Sequence, residues 1–292
     1  MGAPQRLSAF VVHSSLFLGL SAAAEAYAAC ALLGVQPNAA LPVAFLATVG
    51  VYNLDKASDV AADAVTYPER AAFVGAHLRP YAALSGVAYV VGVALAIWRG
   101  GLPGAALTLF PAAVGVAYSL PVIPGPGPTR LKDVFVVNTF VVALAWALPV
   151  ALLPAAVASG RPLRSPAVGV AAAWYFLRSV GSVEVHNVRD VAGDRAAGVV
   201  TLPTVIGATA TRYVLYGVDA LSGVLAVAAV VMGIVPAFVA VGLAPALCVS
   251  AWLTRSLAVP ARPTEHLCTL RDAEGLVMAA GVVPAYLMLF TL

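Results

Sequence analysis

The chain has 292 residues, 62% of them hydrophobic and only 10% charged, with a formal net charge of +3. Soluble domains carry about 25% charged residues, so a soluble globular domain is excluded, and so small a positive excess is no signature of a nucleic-acid partner. Long apolar runs, each near the ~20 residues that cross a bilayer, fill most of the sequence. They imply an all-α, multi-pass membrane protein whose residues 1–292 form one integral-membrane domain.

In chain order, nine spans are expected, at roughly 7–33, 39–58, 81–98, 102–120, 134–158, 166–187, 213–234, 237–259 and 274–292. The first apolar run is too long for a cleavable signal peptide. It carries one acid, Glu25, in mid-span. The connections after spans two, four, six and eight hold most of the lysines and arginines, whereas the opposite side has only Arg99, Arg161 and Arg164. The positive-inside rule therefore places the charged side and the N-terminus in the cytoplasm. An odd number of spans then places the C-terminus outside. Cys30, Cys248 and Cys268 show no metal-ligand spacing and read as small hydrophobes.

Two stretches repeat Asp-Val-Ala-x-Asp: "DVAADAV" from Asp59 and "DVAGDRAAGVV" from Asp190. They close spans two and six, so they share an orientation. Residues four apart lie on one helix face. Tyr52, Asp55, Lys56, Asp59 and Asp63 therefore fall within an arc of about 100°. His186, Asn187, Asp190 and Asp194 do the same on the other helix. Crowded carboxylates repel unless a cation sits between them. Hard oxygen donors on two facing helices suit Mg²⁺, which keeps some waters and bridges to substrate phosphates. Ionisable groups at membrane depth are functional by default.

The connection "YSLPVIPGPGPTRLKDVF" from Tyr118 has a Pro/Gly-rich middle that cannot be helical. It brings Arg130 and Lys132 to the same side, where cations can hold phosphate oxygens. Arg178 and Glu184, before the second motif, are expected in the same polar chamber. Asp219 reads as a solvated acid near the end of span seven. The spans are rich in Ala, Val and Gly, which leaves room for a long, flexible tail in a groove between helices.

Three stretches resemble the UbiA superfamily of intramembrane prenyltransferases. "HNVRDVAGDRAAGVVTLPTVIG", from His186, is similar to its second Asp-rich motif and the tail that follows. "DKASDVAAD", from Asp55, is similar to its first. "YSLP…RLKD" followed by Trp146 resembles the stretch after its fourth span. The resemblance implies a helical bundle around a central cavity that opens to the cytoplasmic side. It also implies transfer of an isoprenyl group from a prenyl diphosphate to a hydrophobic acceptor. Asp59, Asp63, Asp190 and Asp194 would hold Mg²⁺. Lys132 would hold the departing diphosphate, with Arg130, Arg70 or Arg189 helping. Asp55 and Lys56 stand where the family commonly has Asn and Asp, so Lys56 is expected to touch diphosphate itself. Asn187 is a further substrate contact.

Ionisation leaves an allylic cation, for which Tyr118, Trp146, Tyr175 and Trp174 are candidate aromatic partners. Glu25 either orients or deprotonates the acceptor, or joins helices through a hydrogen bond. Two other functions fit the same residues: terpene cyclisation on the same diphosphate site and, from another class, an Asp-lined transporter. The placement of the acids at helix ends rather than near the midplane favours an enzyme.

Overall fold

The computed structural model describes residues 10–58, 60, 64, 67–121, 123, 130–158, 163–258 and 264–291. Among these it is 87% helical and contains no strand. The helices are α1 (Leu16–Leu33), α2 (Ala40–Ser58), α3 (Pro68–Ala76), α4 (Leu78–Ser119), α5 (Val137–Val157), α6 (Pro166–Ala197), α7 (Leu202–Val231), α8 (Ala237–Ser256), α9 (Thr264–Asp272) and α10 (Glu274–Thr291). A single 3-10 turn, Leu131–Asp133, precedes α5.

Local sequence explains the main breaks. The 42-residue α4 is two helices in succession, because Gly101 takes φ 57° and ψ −145°. Left-handed φ is open to glycine at little cost, so the third and fourth expected spans become the two halves of α4. Gly198, at φ 69°, is another such glycine. Its N–H bonds to Arg195 O at 3.3 Å, and Val199 N–H bonds to Asp194 O at 2.8 Å. This αL cap ends α6 directly after the second Asp motif. Thr201 and Thr204 then restart the chain as α7, with Thr201 N–H donating to Thr204 Oγ1 at 2.8 Å.

Among the described residues each expected span overlaps helix, but by length and composition six helical stretches are apolar enough to cross a membrane. They are α1, α4, α5, α7, α8 and the continuous run Thr264–Phe290. The two that fall short are α2, which ends directly before the first Asp motif, and α6, which carries the second. Polar side chains on one face lower the mean hydropathy of a helix whose other side is apolar.

Packing makes a closed ring. α1 lies against α2, α2 against α4, α4 against α5, α5 against α6, α6 against α7, α7 against α8, and α8 against α10, which returns to α1. The largest buried core joins α1, α5, α6, α7, α8 and α10 through Leu33, Val150, Trp174, Ala229, Leu243 and Met278. The ring surrounds a cavity on which both motif helices border.

Candidate functional site

The cavity has a volume of about 700 Å³. From α2 it takes Tyr52, Asp55 and Lys56; from α6 it takes Arg178, His186, Asn187 and Arg189. Of the residues that spacing puts on the two faces, Tyr52, Asp55, Lys56, His186 and Asn187 line the cavity, whereas Asp190 and Asp194 are not on its wall. Glu25, Arg70, Tyr118, Trp146 and Tyr175 also line it. Trp174, the fourth aromatic candidate, is instead core, 1% exposed. Asp59 and Asp63 lie outside the described residues.

Asp190 stands at the cavity's edge. Arg189 grips it with two bonds of 2.7 Å, Nε to Oδ1 and Nη2 to Oδ2. The phenol of Tyr67, itself on the cavity wall, donates to Asp190 Oδ1 at 2.8 Å. Arg70 lies 4.1 Å from the centre of the Tyr67 ring and Arg189 5.3 Å. Two guanidinium groups thus share one aromatic ring. Burial and the bond to Asp190 push the Tyr67 phenol up to about 12, even beside those cations. Tyr67 was not foreseen; its only local signal is the Pro68 that follows it and opens α3.

Burial raises the proton affinity of Asp190, but the bonds from Arg189 and Tyr67 outweigh it and hold the carboxyl below its usual range. Asp194, one turn on, moves the other way: burial pushes it up, and the charge of Asp190 adds to that against a bond from Thr201. Thr201 Oγ1 donates to Asp194 Oδ2 at 3.1 Å. Two acids on one face thus hold their protons differently.

Lys56 Nζ donates to Ser15 Oγ at 2.7 Å and to the His13 carbonyl at 3.2 Å. It fastens the segment before α1 across the cavity mouth. Asn53 helps, donating to Ser14 O at 2.9 Å, as does Tyr81, donating to His13 O at 2.9 Å.

Arg130 and Lys132 are not on the cavity wall. Arg130 closes on Asp133 with bonds of 2.9 Å and 2.8 Å. That pairing holds the Asp133 carboxyl down at about 2. Lys132 sits in the same turn, which packs on α4 and α5. Asn138, near the start of α5, donates to Val200 O at 2.9 Å and so ties this region to the chain after the second motif.

Deeper in the cavity lies a belt of ions that the sequence only partly suggested. Arg178 donates to Glu274 Oε1 and to Asp219 Oδ1, each at 2.6 Å. Arg271 Nη1 meets Glu274 Oε2 at 2.7 Å, and Nη2 donates to the Arg178 carbonyl at 2.9 Å. Ser250 joins the belt by a 2.7 Å bond to Asp219 and a contact with Arg271. Asp219 is thus an ion-pair member, 12% exposed, rather than a solvated acid. Arg178 meets the chamber as expected. Glu184 is buried off the cavity, accepting from Thr139 at 2.6 Å. Glu25 accepts from Trp146 Nε1 at 2.6 Å, and its carbonyl accepts from Tyr175 at 2.7 Å. It is both a helix-joining residue and a cavity residue.

The model of the UbiA prenyltransferase family matches residues 12–267. The chain belongs to the UbiA prenyltransferase family. No curated protein matches it by sequence. Three solved structures share the fold of this UbiA-family chain. A UbiA homologue from Aeropyrum pernix K1, in its apo form, is 20% identical with a TM-score of 0.68, over 92% of this chain and 98% of that one. A digeranylgeranylglyceryl phosphate synthase is 14% identical with a TM-score of 0.60, over 96% and 99%. A UbiA homologue from Archaeoglobus fulgidus, bound to DMAPP and Mg²⁺, is 15% identical with a TM-score of 0.59, over 91% and 98%.

The donors that this chain offers fit Mg²⁺ in type. Asn187, Asp190 and Asp194 present hard oxygens on one face of α6. Among the described residues no three of His, Cys, Asp and Glu converge on one point. A site here would therefore draw ligands from the first motif or from substrate phosphate.

Proposed function

We propose that this membrane protein is a Mg²⁺-dependent prenyltransferase. It moves an isoprenyl group from a prenyl diphosphate to a lipid-soluble acceptor within a single nine-span domain over residues 1–292. The mouth of the cavity and the N-terminus face the cytoplasm, and the C-terminus faces outward. The observation that carries the reading is the cluster at the mouth. Arg189 and Tyr67 hold Asp190, and Arg70 stacks on the Tyr67 ring, at the edge of a cavity of about 700 Å³ in a UbiA-family chain.

In this reading Asp59, Asp63, Asp190 and Asp194 hold Mg²⁺, with Asn187 and Asp55 beside them. When bound, the ion withdraws charge from the leaving diphosphate, as a Lewis acid does. Arg189 releases Asp190 and turns to phosphate oxygen, joined by Arg70 and Lys56. Such an exchange costs little, because the pair is partly exposed. Lys132, with Arg130, approaches from the turn before α5 to hold the departing diphosphate. The allylic C–O bond breaks and its electron pair leaves with the diphosphate. Tyr52, Tyr118, Trp146 and Tyr175 shield the cation from water and stabilise it through their ring faces. A nucleophile from the acceptor closes the new bond, and the proton it loses passes to the released diphosphate.

The test incubates detergent-purified protein with Mg²⁺ and prenyl diphosphates of several lengths, with and without membrane extract. Diphosphate release and prenylated lipids are both measured. Mg²⁺-dependent release that rises with extract supports the proposal; no release with any donor defeats it. The aromatic wall favours a second reading, terpene cyclisation. A cyclic product formed from the donor alone, at a rate that extract does not change, would establish that reading instead.

A further inference from the structure

The cavity changes character with depth. Its mouth is mixed in charge, with Lys56, Arg70 and Arg189 set among Asp55, Glu69 and Glu265. Its deep wall is Glu25 from α1 and the Arg178–Glu274 pair from α6 and α10. Arg178 and Glu274 are each 4% exposed and already hold one another at 2.6 Å. The 2.6 Å bond from Trp146 to Glu25 joins α5 to α1 beside them. Trp146 also stands edge-on to Tyr52, with ring centres 6.0 Å apart. An apolar chain gains little against such a wall, and wedging it in would separate buried partners from each other.

The depth available is short. Ser15, which meets Lys56 at the mouth, and Glu25 are separated by ten residues of helix, about 15 Å at 1.5 Å per residue. An extended chain advances about 1.2 Å per bond, as an extended peptide does, so the four chain bonds of an isoprene unit take about 5 Å. With diphosphate in the outer part, about two units fill the remainder.

We propose that the Trp146–Glu25 bond, backed by the Arg178–Glu274 pair, is the floor of the donor-tail site and selects a short prenyl diphosphate. The inference rests on the prenyltransferase reading. It replaces the roomy groove that small side chains alone suggest with a site of set length.

Competition binding tests it without turnover. Non-reacting thiolodiphosphates with dimethylallyl, geranyl, farnesyl and geranylgeranyl chains displace labelled geranyl thiolodiphosphate from the full chain in detergent with Mg²⁺. The wild type is expected to prefer the geranyl over the geranylgeranyl analogue by at least about tenfold, the discrimination a pocket wall exerts on a misfitting hydrocarbon. Trp146→Ala opens the floor and narrows that preference to within about threefold. Glu25→Leu, which makes the floor apolar, shifts it the same way and keeps the test alive where Trp146→Ala does not fold. Size-exclusion profiles identify folded variants. Equal affinity for all four chains in the wild type overturns the floor, as does wild-type discrimination retained in the folded variants. Binding of none of the four, together with no diphosphate release, overturns instead the prenyl-diphosphate reading beneath it.

Discussion

Arg189 and Arg178 lie on the same helix, and each grips a carboxylate, yet their surroundings differ. The Arg189–Asp190 pair keeps 23% and 34% of its side-chain surface exposed. The Arg178–Glu274 pair keeps 4% and 4%. Water can replace either partner of the first pair, so little is lost when it opens. Opening the second strands a charge in a dry interior. The outer pair is suited to take up and release a charged ligand, and the inner pair to hold the frame around it. Similar residue types thus serve opposite ends of one cavity, divided by access to water.

The largest effect expected is on the inner pair. Glu274→Gln leaves Arg178 and Arg271 facing each other without their shared carboxylate. Breaking a buried pair from one side costs about 3–5 kcal/mol, so the melting temperature in detergent should fall steeply. An unchanged melting temperature would remove the distinction between the two pairs. Asp190→Asn, at the outer pair, should spare the melting temperature. It should lower diphosphate release at least ~100-fold, about 2.7 kcal/mol of barrier. Near-native release at saturating Mg²⁺ would take Asp190 out of the metal site.

Acidification should separate the two acids of the outer site. Burial raises Asp194 and the pairing with Arg189 lowers Asp190, so Asp194 takes up a proton first as pH falls. An acid whose folded proton affinity is raised makes the fold more stable, not less, as pH falls through its titration. The Mg²⁺ concentration for half-maximal release should therefore rise on mild acidification while Asp194 contributes no loss of melting temperature. Asp194→Asn should flatten the early part of that rise. Tyr67→Phe removes one donor to Asp190, worth about 1 kcal/mol, and should change half-saturation by Mg²⁺ about fivefold. The smallest effect falls on the rim. Arg130→Ala breaks an exposed pair with Asp133 and removes the helper cation while Lys132 stays in place, so release should fall only about threefold. Unchanged release would take Arg130 off the departing diphosphate.

Much of this was legible in the sequence, and the reason is locality. The spacing of Tyr52, Asp55 and Lys56, and of His186 and Asn187, sets their helix faces, and those faces meet the cavity. The breaks at Gly101 and Gly198 follow from single residues. The inner belt was not legible, because Arg178 and Glu274 are 96 positions apart and no local pattern pairs them. Asp219 looked solvated for the same reason: its partners lie on α6 and α8. The turn with Arg130 and Lys132 was read from composition as cations near phosphate. The fork from Arg130 to Asp133 is a short-range contact that competes for the same guanidinium.

The 96-position gap between Arg178 and Glu274 also bears on biogenesis. Arg178 emerges from the ribosome first. Asp219 follows after 41 residues, so Arg178 can gain one counter-ion while the last helices are still unmade. At 5–20 residues per second, α6 then waits about 5–20 s in all for Glu274. Until that moment its guanidinium must stay near the lipid–water boundary or lean on α7. The final helix therefore acts as a latch on insertion: a chain released before Glu274 would keep Arg178 paired with Asp219 but leave the Arg271 guanidinium, buried in the finished ring, without its carboxylate.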